Sequence, residues 1–195
     1  MLSGISAKRS RKPSRSKAMI DQINRYIFRF FLVIFFQVLI LNNIQFSGYI
    51  NPYFYIWYIL VLPFDTPGWA LLVTAFLLGL GIDVFPQGIA GNGATLGTHT
   101  AATVLIAFMR PTVLRWINPR DEYEPGTYPD TRNYGMIWFV SYALIMIGFH
   151  HFLLFFLEDL SLRDFFRTLL RVLLSGFFTL IIILLWEGIR FRVRR

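Results

Sequence analysis

The chain contains three histidines (His99, His150 and His151), eleven carboxylates and no cysteine. Thiol catalysis, disulfides and cysteine-ligated metals are therefore excluded. A zinc site wants ligands converging at set spacings, such as H-E-x-x-H on one helix face, and no such pattern occurs. His150 and His151 are neighbours, so on a helix they point about 100° apart and do not readily face one centre. They read as packing or hydrogen-bonding residues. His99 follows Asp83 by 16 residues. Adjacent spans would let the two hydrogen-bond, and a structural pair outweighs a catalytic dyad because no nucleophile motif accompanies it. The stretch "GNGATLG" lacks the Lys-Ser/Thr of a phosphate-binding loop and is not G-x-G-x-x-G. No strand precedes it, so phosphate binding is rejected.

Asp83 is the single carboxylate in "LLGLGIDVFPQGIAGNGATLGTHTA", with 17 uncharged residues before it and 26 after it. A carboxylate at mid-bilayer is costly and marks a site or a buried pair. Here Phe85-Pro86 closes the span, which places Asp83 near the outer membrane boundary. Three roles stay open: capping the glycine-rich turn by accepting backbone N–H groups, contacting a partner, or handling an ion or substrate. Gly93, Gly97 and Ala101 fall at i, i+4, i+8 on one helical face. Small residues at that spacing let membrane helices approach closely, within the chain or against a partner.

The elements that must position these residues are transmembrane helices. The 195 residues are 55% hydrophobic and only 15% charged, with positive mean hydropathy. The charges are clustered, leaving 30–64, 133–157 and 172–186 without any. Runs of that kind read as spans, so the chain is expected to be an all-α integral membrane protein, a compact bundle of about six helices. The expected spans are 26–42, 52–62, 68–85, 93–109, 133–157 and 168–189. The second is the shortest. Asn92 is the expected N-cap of the fourth and Pro111 its stop.

The net charge of +8 would point to nucleic acid in a soluble protein, but the basic residues flank the spans, so no nucleic acid is expected and membrane lipid is. Eight Lys/Arg lie in 1–29, four in 110–132 and four at 190–195, against three near 158–171. The positive-inside rule then makes the amino-terminal segment, the 110–132 loop and the carboxyl terminus cytoplasmic. Residues 1–18, "MLSGISAKRSRKPSRSKA", cannot bury enough apolar surface to fold alone. They read either as a basic, disordered arm or as an over-extended start ahead of Met19, leaving 19–195 as the membrane domain. Tyr49, Tyr53, Tyr55, Trp57, Trp69, Trp116, Trp138 and Trp186 are expected near the interfaces. The 112–132 loop reads as a solvated connector with a partner-contact alternative. "EDLSLRDFFRTLLR" is amphipathic and is expected to lie in the interface before the sixth span.

The G-L-x-x-D pattern at Gly79-Leu80-Gly81-Ile82-Asp83, the glycine-rich turn after it and "GTHTAATVLIAFMRP" together resemble the MreD family of bacterial rod shape-determining proteins. The opening "NRYIFRFFLVIFFQVLILNNI" resembles its Bacteroidetes-type members. The resemblance covers about 19–190. It implies a non-enzymatic, cofactor-free inner-membrane subunit of the cell-elongation machinery. The implied partners are a single-span MreC-like protein, an MreB-like filament, a SEDS glycosyltransferase and a penicillin-binding transpeptidase. It also implies an architecture similar to the substrate-binding components of vitamin transporters. A transporter subunit of that kind is the rival reading, with Asp83, Asn92, His99 and Thr100 lining an outward pocket.

Overall fold

The structure, a computed structural model, describes residues 15–43, 50–85, 97–119, 122–124, 126–159 and 164–193. These residues form seven α-helices and no sheet: α1 (Arg15–Leu39), α2 (Ile56–Leu60), α3 (Gly68–Asp83), α4 (Thr98–Trp116), α5 (Thr131–Tyr134), α6 (Met136–Asp159) and α7 (Phe165–Val193). Three helical segments are long and apolar enough to cross a membrane: Ile20–Asn43, Met136–Asp159 and Phe165–Arg190. The protein is therefore an all-α membrane protein. α3 is apolar but shorter, at 16 residues.

Local chemistry sets the ends of these elements. Asn43 donates from its side chain to the Leu39 carbonyl at 2.9 Å, satisfying an acceptor left over at the end of α1. Thr66 closes a turn onto the Pro63 carbonyl through both its N–H and its hydroxyl. Pro67 then precedes the first residue of α3. Asp130 caps α5 by accepting from the N–H groups of Arg132 and Asn133.

Six segments alternate in direction, and the hydrogen bonds between them record it. Along the 50–63 segment, Tyr55 meets His99 and Leu62 meets Arg110, so it runs parallel to α4. It runs antiparallel to α6, because Tyr55 also meets His150 while Leu60 meets Tyr142. Thr179 meets Tyr53 and Glu187 meets Trp57, which makes α7 parallel to it. Gln37 meets Phe54 and Tyr26 meets Tyr58, which makes α1 antiparallel. α3 packs against α4, α4 against α6, and α6 against α7.

The 50–63 segment is the core of the bundle. Residues 52–62 are all buried, yet only the five of α2 are helical. The expected helical span over 52–62 is thus a buried, mostly non-helical strut. Irregular backbone is tolerated at membrane depth only where protein covers it and satisfies its polar groups. Four helices do so here. From α1, Gln37 accepts from Phe54 N–H at 2.8 Å and donates to the Pro52 carbonyl at 3.1 Å and to Asn42 at 2.9 Å. From α7, Ser175 accepts from Asn51 N–H and Thr179 from Tyr53 N–H. Arg110 on α4 donates to the Leu62 and Pro63 carbonyls, and Tyr142 on α6 donates to Leu60.

Several expected boundaries move. The fourth span begins at Thr98 rather than at 93, and it continues through Pro111 to Trp116. Its expected N-cap, Asn92, lies outside the described residues. The expected interfacial helix over "EDLSLRDFFRTLLR" is instead continuous with the last span from Phe165 onward, because the apolar period of 165–171 runs on unbroken into it. Tyr53, Tyr55 and Trp57 are core residues and not interface anchors, whereas Trp69 and Trp116 are exposed. Tyr49 and most of the expected basic arm (residues 1–14) lie outside the described residues. Arg110, counted above as a loop charge, is buried within the bundle.

Candidate functional site

Gly79 and Asp83 sit one turn apart on the buried face of α3, below Leu71, Ala75 and Leu78. Both meet the start of α4. A Cβ on Gly79 would lie 2.4 Å from Thr100 Cα and 2.9 Å from the His99 carbonyl oxygen, so glycine alone permits this approach. One turn further on, Asp83 Oδ1 accepts from His99 N–H at 3.1 Å. Its Oδ2 accepts from Thr100 N–H at 2.9 Å and from the Thr100 hydroxyl at 2.5 Å.

The reason is visible in the α4 terminus. Its N-cap is Gly97, held at φ +98°, with no side chain to accept from the second and third helical N–H groups. Those groups belong to His99 and Thr100. An N-cap serine or aspartate normally serves them. Here the carboxylate comes from the neighbouring helix, and its negative charge faces the positive end of the α4 dipole. The Asp83–His99 interaction therefore runs through the His99 backbone and not through the imidazole.

Of the expected small-residue face, Gly97 and Ala101 do not pack against a neighbouring helix among the described residues. Gly97 precedes the helix, with open space around its would-be Cβ, and Ala101 is exposed. Gly93 lies outside the described residues. Close packing occurs on α3 at Gly79, with buried Ala75 one turn before it and the accepting Asp83 one turn after it.

The three imidazoles gather deeper in the bundle. Tyr55 Oη bridges His99 Nδ1 at 2.9 Å and His150 Nε2 at 2.7 Å. One phenolic proton means that Tyr55 donates to one ring and accepts from the other. The Tyr53 ring lies between His99, His150, His151 and Phe155, at 5.2, 5.9, 5.4 and 6.0 Å between centroids. Adjacent His150 and His151 both pack against the Tyr53 ring, with their own centroids 5.3 Å apart. Their ring nitrogens go to different partners, His150 Nε2 to Tyr55 and His151 Nε2 to Thr179, in keeping with hydrogen-bonding and packing roles.

Hydrogen-bond roles are fixed around His151. Its Nδ1 faces the Ile147 carbonyl at 3.0 Å, which only accepts, so Nδ1 carries the proton. Thr179 already accepts from Tyr53 N–H, and its own hydroxyl proton goes to His151 Nε2 at 3.1 Å. His151 thus serves as a strut that orients Thr179 toward the 50–63 backbone.

At the opposite end, Arg110 donates from Nε to Tyr142 Oη at 2.9 Å, besides its two carbonyls. Trp57 Nε1 donates to Glu187 at 2.7 Å, and Glu187 pairs with Arg190. The 122–134 loop is pinned rather than free. Phe64 stacks on Tyr123 at 4.3 Å, and Tyr123 Oη donates to the Leu114 carbonyl at 2.9 Å. Burial raises the Tyr123 phenol from its usual 10 to about 12.

Chemically, the arrangement holds backbones together. Asp83 has each oxygen engaged by α4. Of the residues proposed to line an outward pocket, Asp83, His99 and Thr100 are tied to one another, and Asn92 lies outside the described residues. No group of three or more His, Cys, Asp or Glu among the described residues converges as a metal site would. The sequence reading missed Gln37, Ser175 and Thr179, and it placed Tyr55 at the interface. Their signal was that each is an isolated polar group inside an uncharged apolar run. In comparisons with known proteins, no family model matches the chain, and no curated protein and no solved structure matches it.

Proposed function

We propose that this chain is a non-enzymatic, multi-pass scaffold subunit of the bacterial inner membrane, acting in the cell-elongation machinery as the resemblance to MreD implies. In this reading the six alternating segments are six crossings, with both termini cytoplasmic. The outer faces of the helices dock a single-span MreC-like partner, which links an MreB-like filament to a SEDS glycosyltransferase and a penicillin-binding transpeptidase. The observation that carries the reading is the Gly79–Asp83 corner. The G-L-x-x-D residues are consumed in joining α3 to α4, with Asp83 buried and three donors on its two oxygens. A carboxylate spent on two backbone N–H groups and a hydroxyl of the neighbouring helix suits a docking platform better than a reaction centre.

A second reading is supported by the buried 50–63 strut. Broken helices near the midplane mark substrate sites in secondary transporters. Tyr53, Tyr55 and the histidines would then form a pocket for a small vitamin-like molecule. Affinity purification in mild detergent from native membranes, followed by protein and small-molecule mass spectrometry, separates the two. Recovery of an MreC-like protein together with the peptidoglycan synthases is the expected result. A retained small ligand with no such partner would overturn the scaffold reading in favour of transport.

A further inference from the structure

α1 and α7 enclose a cleft of about 500 Å³ at the end of the bundle that carries the basic termini, lined by Arg25, Arg29, Arg190, Phe28, Trp57 and Trp186 among others. We infer that this cleft is a binding site for one anionic phospholipid of the basic-end leaflet. The inference rests on the membrane character of α1 and α7 and stands apart from the elongation-complex reading.

Charge complementarity comes first. No carboxylate lines the cleft. Glu187, beside the cleft, is paired with Arg190 and held by Trp57. Asp21 stands one turn before Arg25 on α1, so among the described residues three arginines face two acids and the site keeps a net positive charge. Arg25 and Arg29 stand at i, i+4 on α1, so they share a face about one helical turn apart. Arg190 faces them from α7, with its guanidinium 5.1 Å above the Trp57 ring. Planar guanidinium forks match phosphate oxygens bidentately, and a stacked, ion-paired Arg190 is already oriented to do so.

The apolar part of the site favours a lipid over a free anion. Below the arginines, Phe28 and Leu32 continue the lining. Phe28, Phe35 and Leu39 are exposed along the same side of α1, and together with Leu32 they recur at i, i+4, i+7 and i+11. That track is about 16 Å long at 1.5 Å per residue, roughly half of a hydrocarbon core of about 30 Å. One acyl chain of one leaflet has that reach. The cleft volume falls among small-molecule sites and takes a phosphoglycerol headgroup with its first methylenes. Basic clefts between membrane helices at the Lys/Arg-rich side are where such headgroups bind.

The test uses the full chain in nanodiscs containing a minor fraction of phosphatidylglycerol in phosphatidylcholine. The lipid that survives detergent extraction is then quantified by mass spectrometry. The wild type is expected to retain about one phosphatidylglycerol, well above its bulk share. The double variant Arg25→Gln/Arg29→Gln should lose that preference by roughly thirtyfold, from about 1 kcal/mol per arginine. Arg192→Gln, at the same end but outside the lining, should retain it. Retention at the bulk ratio in the wild type would overturn the inference, and so would an unchanged double variant. Displacement by glycerol phosphate as effective as by lipid would show that the apolar track is unused. Cross-linking of Phe28 positions between two copies would show that a second chain fills the cleft. Either result also overturns it.

Discussion

Replacing Gly79 by alanine adds one methyl group where α3 and α4 touch. That methyl would stand 2.4 Å from Thr100 Cα and 2.8 Å from Thr100 N, against an ordinary contact of 3.4–4 Å. Both neighbours are backbone, so no side chain can swing away. The helices must part by about 1 Å. The bonds from His99 N–H and Thr100 N–H to Asp83, now 3.1 and 2.9 Å, then stretch beyond useful hydrogen-bond range. Overpacking costs about 1–3 kcal/mol, and loss of the interhelical cap adds about 0.5–2 kcal/mol. The better helix propensity of alanine returns about 1 kcal/mol. The net expectation is centred on about 2 kcal/mol within a span of about 0.5–4 kcal/mol, or about 4–8 °C in melting temperature for a chain of this size.

Two other helical glycines calibrate the result. At Gly81 the new methyl meets only the flexible tip of Ile34 at 2.9 Å, and at Gly148 it meets nothing within 4 Å. Gly148→Ala should be neutral or slightly stabilising, and Gly81→Ala intermediate. The assay is thermal unfolding of the purified protein in mild detergent, followed by near-ultraviolet circular dichroism. Gly79→Ala and Asp83→Ala should combine with less than additive loss, because the first already opens the cap that the second removes. A Gly79→Ala protein as stable as Gly148→Ala would refute the reasoning.

Gln37→Leu is nearly isosteric, but it strands Phe54 N–H, the Pro52 carbonyl and Asn42 in the core, so it should cost about 2–4 kcal/mol in the same melts. Arg110→Gln should also destabilise by about 2–4 kcal/mol by releasing the Leu62 and Pro63 carbonyls and Tyr142. Because this charge is buried inside the bundle, terminal topology reporters should read the same orientation as the wild type. Tyr123 is an acid whose proton is held more tightly when folded, so its contribution is fully present below pH 10 and is lost as pH rises toward about 12. Ultraviolet phenolate titration of Tyr123→Phe should show one fewer late-ionising tyrosine than the wild type, and that variant should lose less stability over the same interval.

The membrane class, the positions of the long helices and the isolation of Asp83 in an uncharged stretch were legible because they depend on local composition, whereas Gly79 was singled out only through the resemblance. Charge-free runs over 133–157 and 172–186 have one stable outcome in lipid. The partners of each residue were not legible, because they depend on which helices become neighbours. The small-residue face illustrates the difference. Four-residue spacing in 93–101 satisfies the packing rule as well as Ala75, Gly79 and Asp83 do. The rule cannot tell where a helix begins, and Gly97 at φ +98° ends up outside it. Pro111 misleads in the complementary way. A proline in an apolar run reads as a stop, but neighbouring packing lets α4 continue past it. The apolar run over 52–62 was visible, but its non-helical backbone was not. Only Gln37, Arg110, Tyr142, Ser175 and Thr179, far apart in sequence, make that conformation affordable.

That dependence also bears on the choice between platform and transporter. Lipid supplies little hydrophobic drive between helices, so packing and interhelical hydrogen bonds must specify the bundle. Here every helix that surrounds the 50–63 strut, apart from α3, contributes a polar side chain to its backbone. A ligand entering between Tyr53, Tyr55 and the histidines would have to part Tyr55 from His99 or His150, or Tyr53 N–H from Thr179. Each released bond costs about 1 kcal/mol, and more if a donor is left unsatisfied in the core. A transporter needs a ligand that replaces those bonds one for one and then lets them re-form. A platform needs only that they persist while partners bind outside. Gln37, Arg110, Tyr142, Ser175 and Thr179 already hold the backbone of the strut, and the apolar outer faces of α1, α3 and α7 remain open to lipid or to another helix.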